Sequence, residues 1–131
     1  MKLLRNPRVA WSFAALAFAG VGYLSLAPGP PGMEEIPGSD KTAHAAAYLT
    51  LAVILAHALS RSGVVGWRRV VLAILVPAAY GEILEVLQYF VPPREPDLLD
   101  ALCNLTGAVV GTIGYGLAGK IGRARRRSGV T

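Results

Sequence analysis

The chain has 131 residues, about the length of one domain, and 53% of them are hydrophobic whereas only 16% are charged. A mean hydropathy of +0.47 is too apolar for an ordinary soluble domain, and the single cysteine, Cys103, excludes an internal disulfide or a cysteine-based metal cluster. The net charge of +5 does not indicate nucleic-acid binding, because the basic residues flank apolar runs instead of forming one basic face. These properties indicate a small integral membrane protein.

Four apolar runs predict four membrane-spanning helices. They cover residues 9–27, 42–60, 70–91 and 98–119. The first run resembles a signal peptide, but Pro28 directly after Ala27 should hinder cleavage, so we interpret it as an uncleaved span. Each run has about 18 to 22 residues, enough for a hydrocarbon core roughly 30 Å thick. Because only helices satisfy their own backbone in lipid, the prediction is a single all-α membrane domain over residues 1–131.

The distribution of basic residues predicts the orientation of these spans. All 13 basic residues except Lys41 and Arg94 lie in the two termini and in the loop between the second and third runs. Cytoplasmic segments are enriched in Lys and Arg, so both termini are predicted to be cytoplasmic. The basic tail, residues 120–131, is interpreted as a disordered topology anchor, in preference to a specific site for anionic lipid.

Polar side chains concentrate at the outer end of the predicted helices. On the second span, His44 and Tyr48 follow Asp40, a candidate N-cap, at four-residue steps. The third and fourth spans each carry a polar set with helical spacing. These sets are Glu82, Glu85, Gln88 and Tyr89, and then Asp100, Asn104, Gly107 and Gly111. Ionisable groups at membrane depth normally face the bundle interior or a water-filled cavity, so the three faces are expected to meet in one pocket.

The small residues Gly107 and Gly111 should let the fourth helix approach a neighbour closely enough to build this pocket. His57, near the cytoplasmic end of the second span, is predicted to be structural. The predicted ligand-binding residues are Asp40, Lys41, His44, Tyr48, Glu85, Gln88, Arg94, Asp97, Asp100 and Asn104.

The order and spacing of these residues resemble the VanZ-like family of small bacterial integral membrane proteins. The matching pattern is Asp40-Lys41-x-x-His44-x-x-x-Tyr48, Glu85-x-x-Gln88, Pro-x-Arg94 and Asp97-x-x-Asp100-x-x-x-Asn104-x-x-Gly107-x-x-x-Gly111. The family is named after an accessory protein of glycopeptide-resistance clusters that confers low-level teicoplanin resistance. The resemblance covers roughly residues 40 to 117 and implies a bacterial plasma-membrane protein of the cell envelope. It implies no particular reaction.

Two kinds of function fit the predicted pocket. The first is binding of an amphiphilic or lipid-linked ligand, such as a cell-wall precursor or a lipoglycopeptide, with Lys41 and Arg94 holding a phosphate or carboxylate. The second is a membrane enzyme in which His44 and Glu85 act as acid and base, or in which His44, Glu85 and Asp100 hold a divalent cation. We favour binding, with membrane lipids as partners and with no cofactor or metal, because the cluster has no Ser or Cys nucleophile and no recognised metal-binding spacing. A purely structural subunit is the third interpretation.

Overall fold

The computed structural model describes residues 6–27, 39–91 and 98–129, with only the backbone described for residues 39 and 40. Four helices account for nearly all of these ranges. They are α1 (Pro7–Leu26), α2 (Ser39–Arg61), α3 (Gly66–Gln88) and α4 (Leu98–Arg127). Each is long and apolar enough to cross a membrane by its length and composition. The prediction of an all-α protein with four candidate membrane spans is confirmed.

The bounds of all four helices differ from the sequence prediction, and those of α1 (Pro7–Leu26) differ by only one or two residues. α4 continues to Arg127, so the basic tail that was expected to be disordered is helical over most of its length. Lys, Arg and Ala are strong helix formers, and arginines in the last turn interact favourably with the helix dipole. α3 occupies residues 66–88 and not 70–91, and α2 begins at Ser39, which puts Asp40 inside the first turn and not at the N-cap. The predicted bounds follow hydropathy, which identifies only the residues suited to lipid. The observed helices follow the backbone hydrogen bonds, which continue beyond those residues.

The turn between α2 and α3 is closed by a Schellman motif. The Val64 N–H donates to Leu59 O at 2.9 Å, and the Gly63 N–H donates to Ser60 O at 3.2 Å. Gly63 has a φ of 82°, a left-handed conformation that glycine adopts without steric cost. The Trp11 indole Nε1–H donates to Ser62 Oγ at 2.8 Å, which attaches the beginning of α1 to this turn.

The outer surface of the four helices is largely apolar. Large hydrophobic side chains such as Leu16, Leu75, Val86 and Ile113 are exposed, and a soluble protein rarely exposes apolar surface on this scale. Exposed aromatic residues lie near both ends of the helices, as is typical of residues at a membrane–water interface. They include Trp11 and Trp67 near one end, and Tyr23, Tyr89 and Phe90 near the other. The surface is that of a multi-pass membrane protein.

α2 lies at the centre of the arrangement and makes its most extensive contacts with α4. A Cβ added to Gly107 would collide with Ala45 O, and a Cβ added to Gly111 would collide with Leu49 O. Because both contacts advance by four residues on each helix, α2 and α4 run parallel, side by side, with their backbones touching. The expected close approach through these two glycines is confirmed.

α3 is attached to α1 by two hydrogen bonds from its side chains. The Tyr80 hydroxyl donates to Phe18 O at 2.7 Å, and Gln88 Nε2 donates to Ser25 O at 2.9 Å. The Phe18 and Tyr80 rings also pack together, with their centroids 5.0 Å apart. Gly22 leaves the space that the Tyr80 hydroxyl occupies.

The glycine contacts predict opposite effects for two alanine substitutions on α4. Gly107→Ala should destabilise the protein by about 1–3 kcal/mol, because the new methyl group forces the α2 and α4 backbones apart. Gly114→Ala should be neutral or stabilise the protein by up to about 1 kcal/mol, because nothing lies within 4 Å of an added Cβ and alanine favours a helix. Thermal unfolding in detergent measures both. Equal melting temperatures for the two variants would contradict the close α2–α4 contact.

Candidate functional site

The polar cluster lies at the end of the bundle where α1 and α3 end and where α2 and α4 begin. His44 lies about 7 Å from the start of α2, at 1.5 Å per residue, and Asp100 lies in the first turn of α4. Asp100 and Asn104 share the helix face that carries Gly107 and Gly111, so the backbone contact turns both side chains toward α2. Asp100 is 6% exposed and Asn104 is 1% exposed.

A hydrogen bond between His44 and Asn104 fixes the orientation of the imidazole. His44 Nδ1 lies 2.9 Å from Asn104 Oδ1. An amide oxygen only accepts, so Nδ1 carries the proton and donates it. In the neutral ring, Nε2 therefore presents its lone pair to the cluster. The Tyr48 ring, 1% exposed, lies nearly parallel to the imidazole with the two centroids 6.4 Å apart.

The two carboxylate oxygens of Asp100 face different partners on α2. Oδ1 lies 3.5 Å from Lys41 Nζ, and Oδ2 lies 3.9 Å from His44 Nε2. The Lys41 side chain is 38% exposed, so this ion pair lies at the edge of the cluster. The Asp100 carboxylate therefore lies between the Lys41 ammonium group and the His44 imidazole.

Glu85 brings α3 into the same cluster. Its side chain is 7% exposed, and one of its carboxylate oxygens lies within 4.8 Å of a ligand atom of both His44 and Asp100. One turn earlier, Gly81 provides space, because a Cβ there would lie 2.7 Å from Asn104 Nδ2 and 2.9 Å from Tyr48 Cε1. The sequence reasoning did not identify Gly81. Gly81 could have been found in the sequence as a glycine four positions before Glu85, on the same helix face.

Several predicted residues lie elsewhere. Gln88 is buried, but its amide hydrogen bond is with Ser25 on α1. Glu82 and Tyr89 are exposed, but they line one cavity together with Glu85, so the prediction that these three residues share a face of α3 is confirmed. The buried face of α3 consists of Ala73, Pro77, Gly81, Leu84, Glu85 and Gln88. The side chain of Asp40, and all of Arg94 and Asp97, lie outside the described residues. His57 lies away from the cluster, with its ring against Tyr115.

Two cavities adjoin the cluster from opposite sides. The larger, of about 410 Å³, lies between α3 and α4. The smaller, of about 240 Å³, lies between α1 and α2 and reaches His44 and Tyr48. The larger cavity is lined by Glu82, Glu85, Val86, Tyr89, Phe90, Leu98 and Ala101. Both cavities therefore combine mostly apolar walls with access to an ionisable side chain of the cluster.

The fold and the cluster define a small multi-pass membrane protein with ionisable groups buried near one end of its helices. A family model described as VanZ/LLP1 matches residues 10–119, and the chain belongs to this family. The match includes most of α1, which the motifs in the sequence did not cover. No curated protein and no solved structure matches the chain.

The His44–Asn104 hydrogen bond can be tested on α4. Asn104→Leu should destabilise the protein by about 1–3 kcal/mol, because it removes the acceptor of a part-buried N–H donor. Thr106→Val is the matched control, because Thr106 is exposed and its hydroxyl bonds only to Leu102 O of its own helix among the described contacts. The control should change stability by less than about 0.5 kcal/mol. An equal loss in both variants, measured by thermal unfolding in detergent, would show that the hydrogen bond contributes nothing specific.

Proposed function

We propose that the protein is a cell-envelope protein of the bacterial plasma membrane that binds an amphiphilic or lipid-linked ligand at the polar cluster. The observation that carries the proposal is the cavity between α3 and α4. Its wall combines the apolar side chains of Val86, Phe90 and Leu98 with the buried carboxylate of Glu85. Mostly apolar pockets with a few convergent polar groups are typical of small-molecule sites.

The proposed orientation places this site on the outer side of the membrane. Arg68 and Arg69 follow the α2–α3 turn, and the arginines at residues 123–127 end α4. These residues lie at the end of the bundle opposite to Glu85 and Asp100. Excess basic charge marks the cytoplasmic side, so the cluster would face the outer leaflet and both termini would be cytoplasmic.

The chemistry of the site fits a ligand with an acyl chain and a polar headgroup. The chain would lie along the apolar wall of the α3–α4 cavity, which adjoins the lipid-facing surface. Glu85 would accept hydrogen bonds from hydroxyl, amide or ammonium groups, and Lys41 would attract a phosphate or carboxylate. Arg94, which is predicted from the sequence to hold a phosphate or carboxylate together with Lys41, is part of the same proposal. Teicoplanin carries a fatty acyl chain, so a link to glycopeptide resistance is also part of it.

The arrangement of the cluster favours ligand binding over a purely structural network. A network that only joins helices is most stable when its polar groups are enclosed and paired with one another. Here Glu85 lies on the wall of a cavity of about 410 Å³, and His44 lies on the wall of a second cavity. Space beside ionisable groups is the arrangement that a binding site requires.

Acid–base chemistry on such a ligand is the second candidate function. It is favoured by the hydrogen bond from His44 Nδ1, because this bond leaves Nε2 as the nitrogen that can accept a proton. A carboxylate oxygen of Glu85 lies within 4.8 Å of a ring nitrogen of His44. Glu85 would therefore be the partner of His44 in proton transfer. The geometry is compatible with a general acid and a general base that act on one substrate.

Blocking the cavity tests the binding proposal. Ala101→Trp should fill the space between α3 and α4 and abolish the copurification of lipid, which native mass spectrometry of the detergent-solubilised protein measures directly. Ala79→Trp is the matched control, because Ala79 is an exposed residue of α3 that does not line this cavity. Both variants should keep the helical content of the unmodified chain. Equal lipid retention by the two variants would contradict the proposed site.

Cysteine accessibility tests the orientation. In a Cys103→Ala background, Glu95→Cys should react with a membrane-impermeant maleimide added to intact spheroplasts, because residue 95 precedes α4 at the outer end. Ser128→Cys, which follows α4, should react only after permeabilisation. Labelling of position 128 alone in intact spheroplasts would reverse the orientation and place the cluster on the cytoplasmic side.

A further inference from the structure

We propose that His44, Glu85 and Asp100 bind one divalent transition-metal ion, with Zn²⁺ the best match. The inference rests on the same site as the proposed function, but not on the identity of the amphiphilic ligand. The three residues come from α2, α3 and α4, and no spacing along the chain brings them together. Only the packing of the three helices places them in one cluster.

The distances suit a metal ion with small adjustments of the side chains. Each residue offers one ligand atom, and these three atoms lie within 4.8 Å of one another. With bonds of about 2.0–2.2 Å, the ligands of tetrahedral Zn²⁺ lie roughly 3.3–3.6 Å apart. His44 Nε2 and Asp100 Oδ2, 3.9 Å apart, are too distant for a hydrogen bond and close to that separation.

The groups around the three ligands orient them for a metal. Asn104 accepts the proton of His44 Nδ1, which directs the lone pair of Nε2 toward Asp100 and Glu85. Metal-bound histidines usually donate their second N–H in this way, and such partners fix the tautomer and raise the basicity of the ring. Lys41 lies by the other carboxylate oxygen of Asp100, so Oδ2 can bind a metal while Oδ1 keeps the ion pair.

The set of one imidazole and two carboxylates selects the class of metal. Mg²⁺ and Ca²⁺ require six or more oxygen ligands, and those of Mg²⁺ must lie in nearly ideal octahedral geometry. Zn²⁺ accepts His, Asp and Glu together and commonly keeps a fourth position for water or substrate when it has three protein ligands. A divalent cation would also lower the electrostatic cost of holding two buried carboxylates so close together. The polar group of the proposed ligand could bind the fourth position.

Zinc titration of the full chain tests this inference. The protein is purified in detergent, treated with a chelator, and titrated with Zn²⁺ in competition with a chromogenic chelator. The unmodified chain should bind one ion per chain, and His44→Gln and Asp100→Asn should each weaken binding at least about tenfold. His57→Gln, which changes the other histidine of α2, is the matched control and should bind zinc as the unmodified chain does.

A second measurement covers the case in which a ligand variant fails to fold. Co²⁺ bound to the unmodified chain should show the visible absorption of a four-coordinate site with nitrogen and oxygen ligands, and added Zn²⁺ should abolish it. Two results would overturn the inference. The first is binding of less than one Zn²⁺ per chain together with no visible absorption from added Co²⁺. The second is equal zinc affinity of folded His44→Gln and His57→Gln. Zinc binding is measured on delipidated protein and lipid retention on zinc-free protein, so failure of the metal site is distinguishable from failure of the proposed function.

Discussion

The contact between the α2 backbone and two glycines of α4 is the constraint on which the rest of the structure depends. In lipid, the hydrophobic effect does not drive helices together, so close packing and polar contacts must hold them. Gly107 against Ala45 O and Gly111 against Leu49 O bring the two backbones together and fix their register. Because Asp100 and Asn104 precede these glycines on the same face, the register that packs the helices also positions the polar cluster.

The polar contacts specify the same register as the glycines. Along α2, Lys41 and His44 lie one turn apart, and along α4 their partners Asp100 and Asn104 also lie one turn apart. A shift of α4 by one turn would separate both pairs and leave buried polar groups without partners, which is costly in an apolar environment. Agreement between packing and polar contacts is what makes one arrangement preferred over its alternatives.

The sequence predicts the buried faces of α2 and α4 better than the buried face of α3, for a physical reason. On α4, the small residues mark the side that approaches a neighbour, so Asp100 and Asn104 could be assigned to the interior. Over residues 70–79 α3 is apolar on every side, and hydropathy does not distinguish lipid-facing from buried side chains. Glu82 and Glu85 line the same cavity, as their spacing predicts, but hydropathy did not indicate that Glu82 is exposed whereas Glu85 is buried. The helical extension of α4 was missed because hydropathy identifies only the stretch suited to lipid.

The hydrogen bond of Gln88, which no pattern in the sequence predicts, lies at the same end of α3 as Glu85 and the cavity beside it. α1 and α4 each pack against both α2 and α3, so they lie on opposite sides of that pair. Gln88 and Tyr80 hold α3 against α1, on the side away from α4. Along its length α3 packs more extensively against α4 than against α1, and the cavity that reaches Glu85 lies where α3 ends and α4 begins. Tight α2–α4 packing forms the cluster, and the cavity between the end of α3 and the beginning of α4 gives access to it.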